Sequence, residues 1–589
     1  MFVRCVVLLA VMGLSAADDP MVEVKAGKIV GKSVQFSHKD VRVERTVHVY
    51  KGIPYAEAPV GDLRFRAPQP KGPWDGVHDA RKVGYACIQY QNPLVPLEEP
   101  QNEDCLYLNV YAPQTDSGPL PVMVWIHGGA FTIGSGTHDD AYDATALASM
   151  GDVIVVSFNY RLGVFGFFAT GDEHAPGNYG LLDQVAALEW VQQNIAAFGG
   201  DASKVTIFGE SAGSISVEYL VLTPLTNGLF HRAIMQSGSA TYPAVTSDDV
   251  PLATKISQGL GKLLGCEKDT TEELVQCLRE VPADDFREPN DISTGVLANV
   301  TGLGSDMSML PFSPFIDGHF LTEMPKNQLT RGAITKTDVD LIIGTNADEG
   351  TMFLPMLFPN SVNDTGISMD RATYEQTYAA FLFAPLKKNQ AVLDAVKLMY
   401  VNWEDADSDD ADYIEALNQM LGDHLFVCPS DLSARAYSNA GNNVYVYHMT
   451  HVPAKSIWRI KWMKAAHGED LQFVFGGVFG SKDWSMPEEE VTMSLQTMKY
   501  WTNFAKTGDP NLSGTGEDSS LKTWPLFKVP GLEYKELSLQ MENKRALKAD
   551  ECAFWNDFIP KLMKLTEVDT VCSSADDEAK KYTEEGNKP

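Results

Sequence analysis

The sequence predicts an α/β fold: one large domain around a central, mostly parallel sheet flanked by helices. Three runs are apolar and β-branched at nearly every position, as strands covered on both faces require: Pro121 to Ile126, Val153 to Asn159 and Lys204 to Phe208. Between the last two runs, apolar residues recur at near-helical spacing from Leu181 to Phe198. Strand, helix, strand is the order that joins parallel neighbours.

Composition limits the class of protein. The 589 residues include 47 Lys and Arg against 78 Asp and Glu, a net charge of −31, which argues against a nucleic-acid partner. A content of 44% hydrophobic and 21% charged residues is typical of a globular chain. Because no repeat or Ser/Pro-rich linker interrupts the chain, we predict a single large domain over residues 18–571 and a polar tail over residues 572–589.

The amino terminus predicts a secreted protein. Residues 1–17 combine Arg4, an apolar stretch and the small residues Ser15 to Ala17, which is typical of a cleaved signal peptide. No later stretch is long and apolar enough to predict a membrane span. Three sequons permit N-glycosylation, at Asn299, Asn363 and Asn511.

One serine has the sequence context of a nucleophile. Gly209-Glu-Ser-Ala-Gly213 follows the run ending at Phe208 and precedes a helix-compatible segment, Ser216 to Leu222. A sharp turn from strand to helix holds its central residue in strained geometry, and flanking glycines allow the close approach of neighbouring chains. We therefore predict that Ser211 is exposed at the amino end of a helix.

The nucleophile needs hydrogen-bond donors for an oxyanion, and a base. His127-Gly-Gly-Ala130 follows the run ending at Ile126, a placement typical of a loop that turns backbone N–H groups toward such a serine. In chains with this turn, the acid and then the histidine follow the serine. The spacing leaves His448, His451 and His467 open as the base, and Asp317, Asp348 and Glu349 open as the acid.

Several motifs in order resemble the type-B carboxylesterase and cholinesterase family of α/β-hydrolases, over about residues 24–565. Besides Gly209 to Gly213 they are Tyr50-Lys-Gly-Ile-Pro-Tyr55, Glu103-Asp-Cys-Leu-Tyr-Leu-Asn109, Phe158-Asn-Tyr-Arg161, Gly177-Asn-Tyr-Gly-Leu-Leu-Asp-Gln184 and Gln236-Ser-Gly238. The resemblance implies an α/β-hydrolase fold and makes Ser211 the nucleophile, Glu349 the acid and His467 the base. It also maps the oxyanion hole to three N–H groups, those of Gly128, Gly129 and Ala212.

The same resemblance implies three disulfides, Cys87 with Cys105, Cys266 with Cys277 and Cys428 with Cys552. It leaves Cys572 unpaired, which permits a homodimer. It also predicts a substrate pocket that includes Glu210, Ala244, Ser308, Leu310 and Phe353.

The predicted function is therefore a secreted serine esterase that forms an acyl-enzyme on a small-molecule or lipid ester, without cofactor or metal. Three alternatives stay open: a lipase or sterol esterase, a cholinesterase, and a catalytically silent adhesion ectodomain. Residues 88–104 contain no tryptophan, which disfavours a choline substrate because a quaternary ammonium binds on an aromatic wall. The small or flexible residues predicted for the acyl pocket favour larger acyl groups.

Overall fold

The computed structural model of the chain describes residues 19–38, 41–91, 96–97, 99–137, 142–243, 245–290, 295–303, 310–358, 367–382, 386–408, 411–479 and 486–566. Several predicted features lie outside these residues. They are the signal of residues 1–17, the tail of residues 572–589 with Cys572, and three single positions, Ala244, Ser308 and Asn363.

The strands form one large sheet and one small sheet. They are β1 (Met21–Val24), β2 (Gly27–Val30), β3 (Lys32–His38), β4 (Val41–Pro54), β5 (Val77–Asp79), β6 (Tyr107–Pro113), β7 (Leu120–Ile126), β8 (Ile154–Phe158), β9 (Gly200–Glu210), β10 (Arg232–Gln236), β11 (Asp340–Asn346), β12 (Val444–Met449), β13 (Glu533–Leu537) and β14 (Asn543–Arg545). Within the described residues the large sheet has 11 strands in the order β14-β13-β12-β11-β10-β9-β7-β8-β6-β4-β3. Seven neighbouring strands of that order run parallel: β13, β12, β11, β10, β9, β7 and β8. The antiparallel pairs lie at the two ends of the sheet.

Helices connect these strands and cover the sheet. They are α1 (Thr145–Gly151), α2 (Gly163–Phe167), α3 (Tyr179–Asn194), α4 (Ala212–Leu222), α5 (Val250–Leu263), α6 (Thr271–Glu280), α7 (Arg287–Asn290), α8 (Val296–Thr301), α9 (Pro325–Thr330), α10 (Leu354–Leu357), α11 (Arg371–Phe381), α12 (Gln390–Tyr400), α13 (Tyr413–Gly422), α14 (Cys428–Ala440), α15 (Leu471–Val474), α16 (Glu488–Thr507) and α17 (Ala549–Ala553). None of the helices in the described part of the chain combines the length and apolar character that crossing a bilayer requires.

The sheet is covered on both faces, as the continuous apolar runs predict. Along β7, Val122 and Val124 belong to one apolar cluster, whereas Met123 and Trp125 belong to another on the opposite face. Side chains of a strand alternate between faces, so a strand buried on both sides must be apolar at every position. The predicted α/β class and the three predicted strands are confirmed.

The topology gathers the candidate site at one edge. Parallel strands β7, β9, β10, β11 and β12 end at the carboxyl side of the sheet, and the candidate residues follow three of these ends. The glycine loop follows β7, Ser211 follows β9, and Glu349 follows β11. Ligand and catalytic sites of parallel sheets lie at this edge because the connecting loops converge there.

A buried ion pair joins the segment after β8 to α3. Arg161 donates from Nε and from Nη2 to the two carboxylate oxygens of Asp183, at 2.8 and 2.7 Å, and its backbone N–H adds a third bond at 3.0 Å. The two side chains are 3% and 0% exposed. A guanidinium and a carboxylate in this paired geometry offset much of their desolvation cost.

Three disulfides tie outer segments together, and they are the three pairs that the resemblance implies. Cys87 is bonded to Cys105, Cys266 to Cys277, and Cys428 to Cys552. The two cysteines of the third bond are separated by 124 residues in sequence, and the bond fastens α17 to the start of α14.

His424 is held neutral in the interior beside that third disulfide. It lies on a π-helical turn, Asp423–Val427, and its ring stands 4.0 Å from the ring of Trp555. Its Nε2 atom is buried and has no hydrogen-bond partner among the described residues. Burial, with a smaller contribution from Lys326, lowers the pKa of His424 from 6.5 to about 3.

This burial predicts a pH dependence of stability. Below pH 6.5 the unfolded chain protonates His424 but the folded chain does not until about pH 3, so the free energy of unfolding falls with falling pH. The slope is about 1.4 kcal/mol per pH unit. Between pH 7 and pH 5, urea denaturation should show that the unmodified protein loses about 2 kcal/mol more than the His424→Leu variant. Equal losses would contradict a neutral buried imidazole.

Candidate active site

Ser211 occupies a strained turn between β9 and α4. Its backbone has φ 58° and ψ −125°, a combination that non-glycine residues rarely adopt. The Ser211 N–H donates to the carbonyl of Gln236 at 2.9 Å, and the Ser211 carbonyl accepts from Ile215 at 3.0 Å. These bonds hold the turn from both sides, at the amino end of the helix as predicted.

The turn is possible because the neighbouring chain approaches closely at glycine positions. A Cβ atom on Gly213 would lie 2.0 Å from the carbonyl oxygen of Ile126 at the end of β7. A Cβ atom on Gly128 would lie 3.0 Å from the Cβ of Ser211 and 2.7 Å from the Glu210 carbonyl oxygen. Both glycines are therefore required by packing, and the glycine loop passes directly over the serine.

Backbone N–H groups of this loop are available to a ligand. The Gly129 carbonyl accepts hydrogen bonds from Thr132 and Ile133, both at 3.0 Å, which close the loop into a tight turn. Within the described residues, the N–H groups of Gly128, Gly129 and Ala212 donate to no protein acceptor. Available donors beside a serine at a helix amino end can bind a developing negative charge.

Glu349 and His467 form a buried hydrogen-bonded pair. His467 Nδ1 lies 2.6 Å from Glu349 Oε2. The other carboxylate oxygen, Oε1, accepts from the Ser237 hydroxyl and from the Asn346 N–H, each at 2.6 Å. Glu349 is 0% exposed and His467 is 4% exposed. A carboxylate held by three donors fixes the tautomer and orientation of the imidazole, leaving Nε2 as its second functional atom.

The second imidazole nitrogen faces the residue before the serine. His467 Nε2 lies 3.0 Å from Glu210 Oε1, and the Ser211 hydroxyl makes no hydrogen bond with His467 in this structure. Burial alone lowers the pKa of His467, but Glu210 and Glu349 outweigh burial and raise it. The two carboxylates therefore stabilise the imidazolium that forms when this histidine accepts a proton.

The structure separates the histidines that the spacing left open. His448 lies within β12, with Nδ1 3.3 Å from the Thr345 hydroxyl, and burial lowers its pKa to about 4. His451 Nε2 lies 2.8 Å from Glu490. Of the three, His467 is the one that contacts Glu349 in the described residues.

The structure also distinguishes among the candidate acids. Asp317 accepts backbone N–H groups of its own turn, at residues 319 to 321. Asp348 accepts from Asn418 Nδ2 at 3.0 Å and from the Ala465 N–H at 3.2 Å, so it fastens the histidine segment without touching the imidazole.

An aromatic wall lies beside the imidazole. The Phe426 ring stands 4.6 Å from the His467 ring and 6.2 Å from the Phe353 ring, and the Tyr242 ring is 5.6 Å from Phe426. Phe353, predicted as a pocket residue, is thus adjacent to the site, whereas Leu310 packs against the main apolar cluster. Phe426 carries no signal in the sequence, because it comes from a π-helical turn distant from every motif.

Other site residues could have been inferred. Ser237 lies in the quoted motif Gln236-Ser-Gly238, and its hydroxyl holds the Glu349 carboxylate. Gln236 bonds to Asp470 Oδ2 through its amide nitrogen at 2.8 Å and accepts from Trp501 at 3.1 Å. The motif therefore supplies a hydrogen-bond donor to Glu349, from Ser237, and one to the nearby Asp470, from Gln236.

Comparison with known proteins shows the family to which the chain belongs. A family model described as the carboxylesterase family matches residues 18–555. The chain is also similar to carboxylesterase 5A of Felis catus, with 38% identity over 572 residues that cover 94% of this chain and 97% of that protein. The chain therefore belongs to the carboxylesterase family and is a carboxylic ester hydrolase.

Proposed function

We propose that Ser211, Glu349 and His467 form a catalytic triad that hydrolyses esters through an acyl-enzyme. The observation that carries the proposal is the 2.6 Å bond between Glu349 and His467, formed beside the strained turn that holds Ser211. A serine hydroxyl becomes a useful nucleophile when an oriented imidazole accepts its proton.

Acylation begins when the Ser211 hydroxyl transfers its proton to His467 Nε2 and its oxygen bonds to the ester carbonyl carbon. The N–H groups of Gly128, Gly129 and Ala212 bind the oxyanion of the tetrahedral intermediate. The imidazolium then returns the proton to the leaving alkoxy oxygen as the carbon–oxygen bond breaks, and the alcohol departs. Water repeats the sequence and releases the acid from Ser211.

Nε2 must exchange its contact with Glu210 for one with the Ser211 hydroxyl before proton transfer. Glu210 and Ser211 are consecutive, so a small rotation of the serine or the ring serves, and catalytic hydrogen bonds commonly tighten only with substrate present. Once the imidazolium forms, the neighbouring carboxylates of Glu210 and Glu349 stabilise its charge; before the exchange they lie 3.0 and 2.6 Å from its two nitrogens.

The pocket supports uncharged esters with an apolar acyl or alcohol group as substrates. Phe426 supplies apolar surface beside the imidazole, and Tyr242 and Phe353 pack against Phe426. Aromatic walls of this kind remove ester groups from water and strengthen the electrostatic interactions at the reacting carbon. A secreted location is part of this proposal, supported by the signal-like residues 1–17 and by three disulfides.

Replacing the nucleophile should abolish turnover without unfolding the domain. In Ser211→Ala we expect kcat for a short nitrophenyl ester to fall by about 10⁴-fold or more, because proton transfer has no acyl acceptor to activate. Labelling by a fluorophosphonate should be lost as well. The control is Ser257→Ala, a buried serine on α5 whose hydroxyl bonds to Thr254, and it should keep full activity. Hydrolysis that survives in Ser211→Ala would refute the mechanism.

Two adjacent carboxylates provide a matched test of the acid. Glu349→Gln should lower kcat by about 10⁴-fold, because its amide oxygen must stay with the two donors on Oε1, Ser237 and Asn346, so that its NH2 group faces Nδ1 and selects the wrong tautomer. Asp348→Asn should change kcat by less than about tenfold, since Asp348 contacts Asn418 and Ala465 and not the imidazole. Steady-state kinetics and circular dichroism of both variants are the measurements. A larger loss of kcat in Asp348→Asn than in Glu349→Gln would show that Glu349 is not the acid.

Secretion predicts a cleaved terminus and a specific glycosylation pattern. Protein from a eukaryotic secretory host should begin at Asp18. Asn299 lies exposed on α8, whereas Asn511 Nδ2 donates to Asp509 at 2.7 Å and to the Trp524 carbonyl at 3.1 Å. A glycan on Nδ2 would break both bonds, so we expect Asn299 occupied and Asn511 free.

Mass spectrometry after peptide N-glycosidase treatment checks this pattern. Asn299→Gln should remove one glycan, and Asn511→Gln should leave the glycan mass unchanged. An unprocessed terminus, or a glycan on Asn511 with none on Asn299, would contradict the prediction.

A further inference from the structure

The backbone that carries His467 is fastened on both sides of the residue. His467 lies in an irregular segment between a short 3₁₀ turn, Lys461–Met463, and α15. Before the histidine, Asn346 Nδ2 donates to the Ala466 carbonyl at 2.8 Å. After it, Trp458 Nε1 donates to the His467 carbonyl at 2.7 Å. With both peptides held, the ring can move only by side-chain rotation, which Glu349 and Phe426 oppose.

Trp458 itself depends on other side chains for its position, because residues 452–460 form a loop with no helix or strand. The Trp458 N–H donates to the Ser456 hydroxyl at 3.1 Å. The Ser456 hydroxyl donates to Glu469 Oε1, and the Ile457 N–H donates to Glu469 Oε2 at 3.2 Å. Trp458 is therefore anchored through Ser456 and Ile457 to one carboxyl group.

Glu469 lies two residues after His467 and is 0% exposed. Besides Ser456 and Ile457, it accepts from Gln472 Nε2 at 2.6 Å. These contacts close a ring of bonds. The ring runs from Glu469 to the 456–458 loop, from Trp458 to the His467 carbonyl, and from His467 along the backbone back to Glu469. Burying a carboxyl group is costly, and an apolar side chain would fill the same space without that cost.

We propose that Glu469 is a positioning residue of the hydrolase: it fixes the 456–458 loop so that the Trp458 indole holds the His467 peptide, and through it the imidazole, opposite Ser211. This inference rests on the proposed triad. Glu469 does not touch the reacting atoms, so its removal displaces the base without removing any catalytic group. Displacement of a catalytic group by about 1 Å costs about 100-fold in rate.

Three variants test the chain of contacts. In Glu469→Ala we expect kcat to fall about 100-fold with KM within about threefold, since the substrate pocket is untouched. Glu469→Gln should recover to within about fivefold of the unmodified protein, because its amide can accept from Ile457 and Gln472 and bond to Ser456. Trp458→Phe, which loses only the indole N–H, should lower kcat about tenfold.

The double variant Glu469→Ala with Trp458→Phe separates positioning from general damage. If Glu469 acts through Trp458, the double variant should be no more than about threefold slower than Glu469→Ala alone. Multiplication of the two single effects would show that the residues act independently and would overturn the proposal.

Glu490 offers a matched control at the other end of the same loop. It is buried, accepts from His451 Nε2 at 2.8 Å and from the Ala454 N–H at 2.7 Å, and makes no hydrogen bond with Trp458 among the described residues. Glu490→Ala should lower the melting temperature while leaving kcat within about threefold. A loss of kcat equal to that of Glu469→Ala would show that loop stability alone is responsible, and would overturn the proposal.

Fluorophosphonate labelling separates this proposal from the triad on which it rests. The unmodified protein should take up one phosphonate per chain, and Ser211→Ala none. Glu469→Ala should reach the same stoichiometry at a rate about 100-fold lower, because the imidazole that activates Ser211 is displaced. No labelling of the unmodified protein would overturn the proposed function and this inference with it. Full labelling of Glu469→Ala at an unchanged rate would overturn this inference alone.

Discussion

The hydrogen bond between Glu349 and His467 is the interaction on which the proposed active site depends. It joins residues separated by 118 positions, at a place where neither side chain is exposed to water. A buried carboxylate must be supplied with donors, and Glu349 receives them from the end of β10, from the end of β11 and from the imidazole. Because the donors come from different strands, the sheet must be correctly ordered before the pair can form.

Acidic groups surround a single imidazole in this interior. Glu210 and Glu349 lie on its two nitrogens, and burial raises the pKa of Asp470, which also lies near Glu210, to about 6. Asp470 is hydrogen-bonded to Tyr447 and Gln236, at 2.7 and 2.8 Å. Such a network stabilises the charged form of the imidazole, and neighbouring polar residues satisfy the buried carboxyl groups by hydrogen bonding.

The sequence predicted the elements whose signal is local. Strand β7 and the start of α4 follow from apolar pattern and turn chemistry, since each depends on residues within one short window. Spacing alone did not choose among His448, His451 and His467, because each histidine is acceptable within its own segment; the family resemblance favoured His467. Contacts with Thr345, Glu490 and Glu349 separate them, and those partners lie at least 39 residues away.

By itself, the sequence determined the fold class, the turn that strains Ser211 and the glycine loop beside it, because each is set by steric limits on neighbouring residues. The tertiary structure alone decided that Phe426 faces the imidazole and that Glu469 anchors the loop bearing Trp458. Neither residue belongs to a motif. Their roles arise from packing between segments remote in sequence, where position is set by the burial and hydrogen-bonding needs of the whole domain.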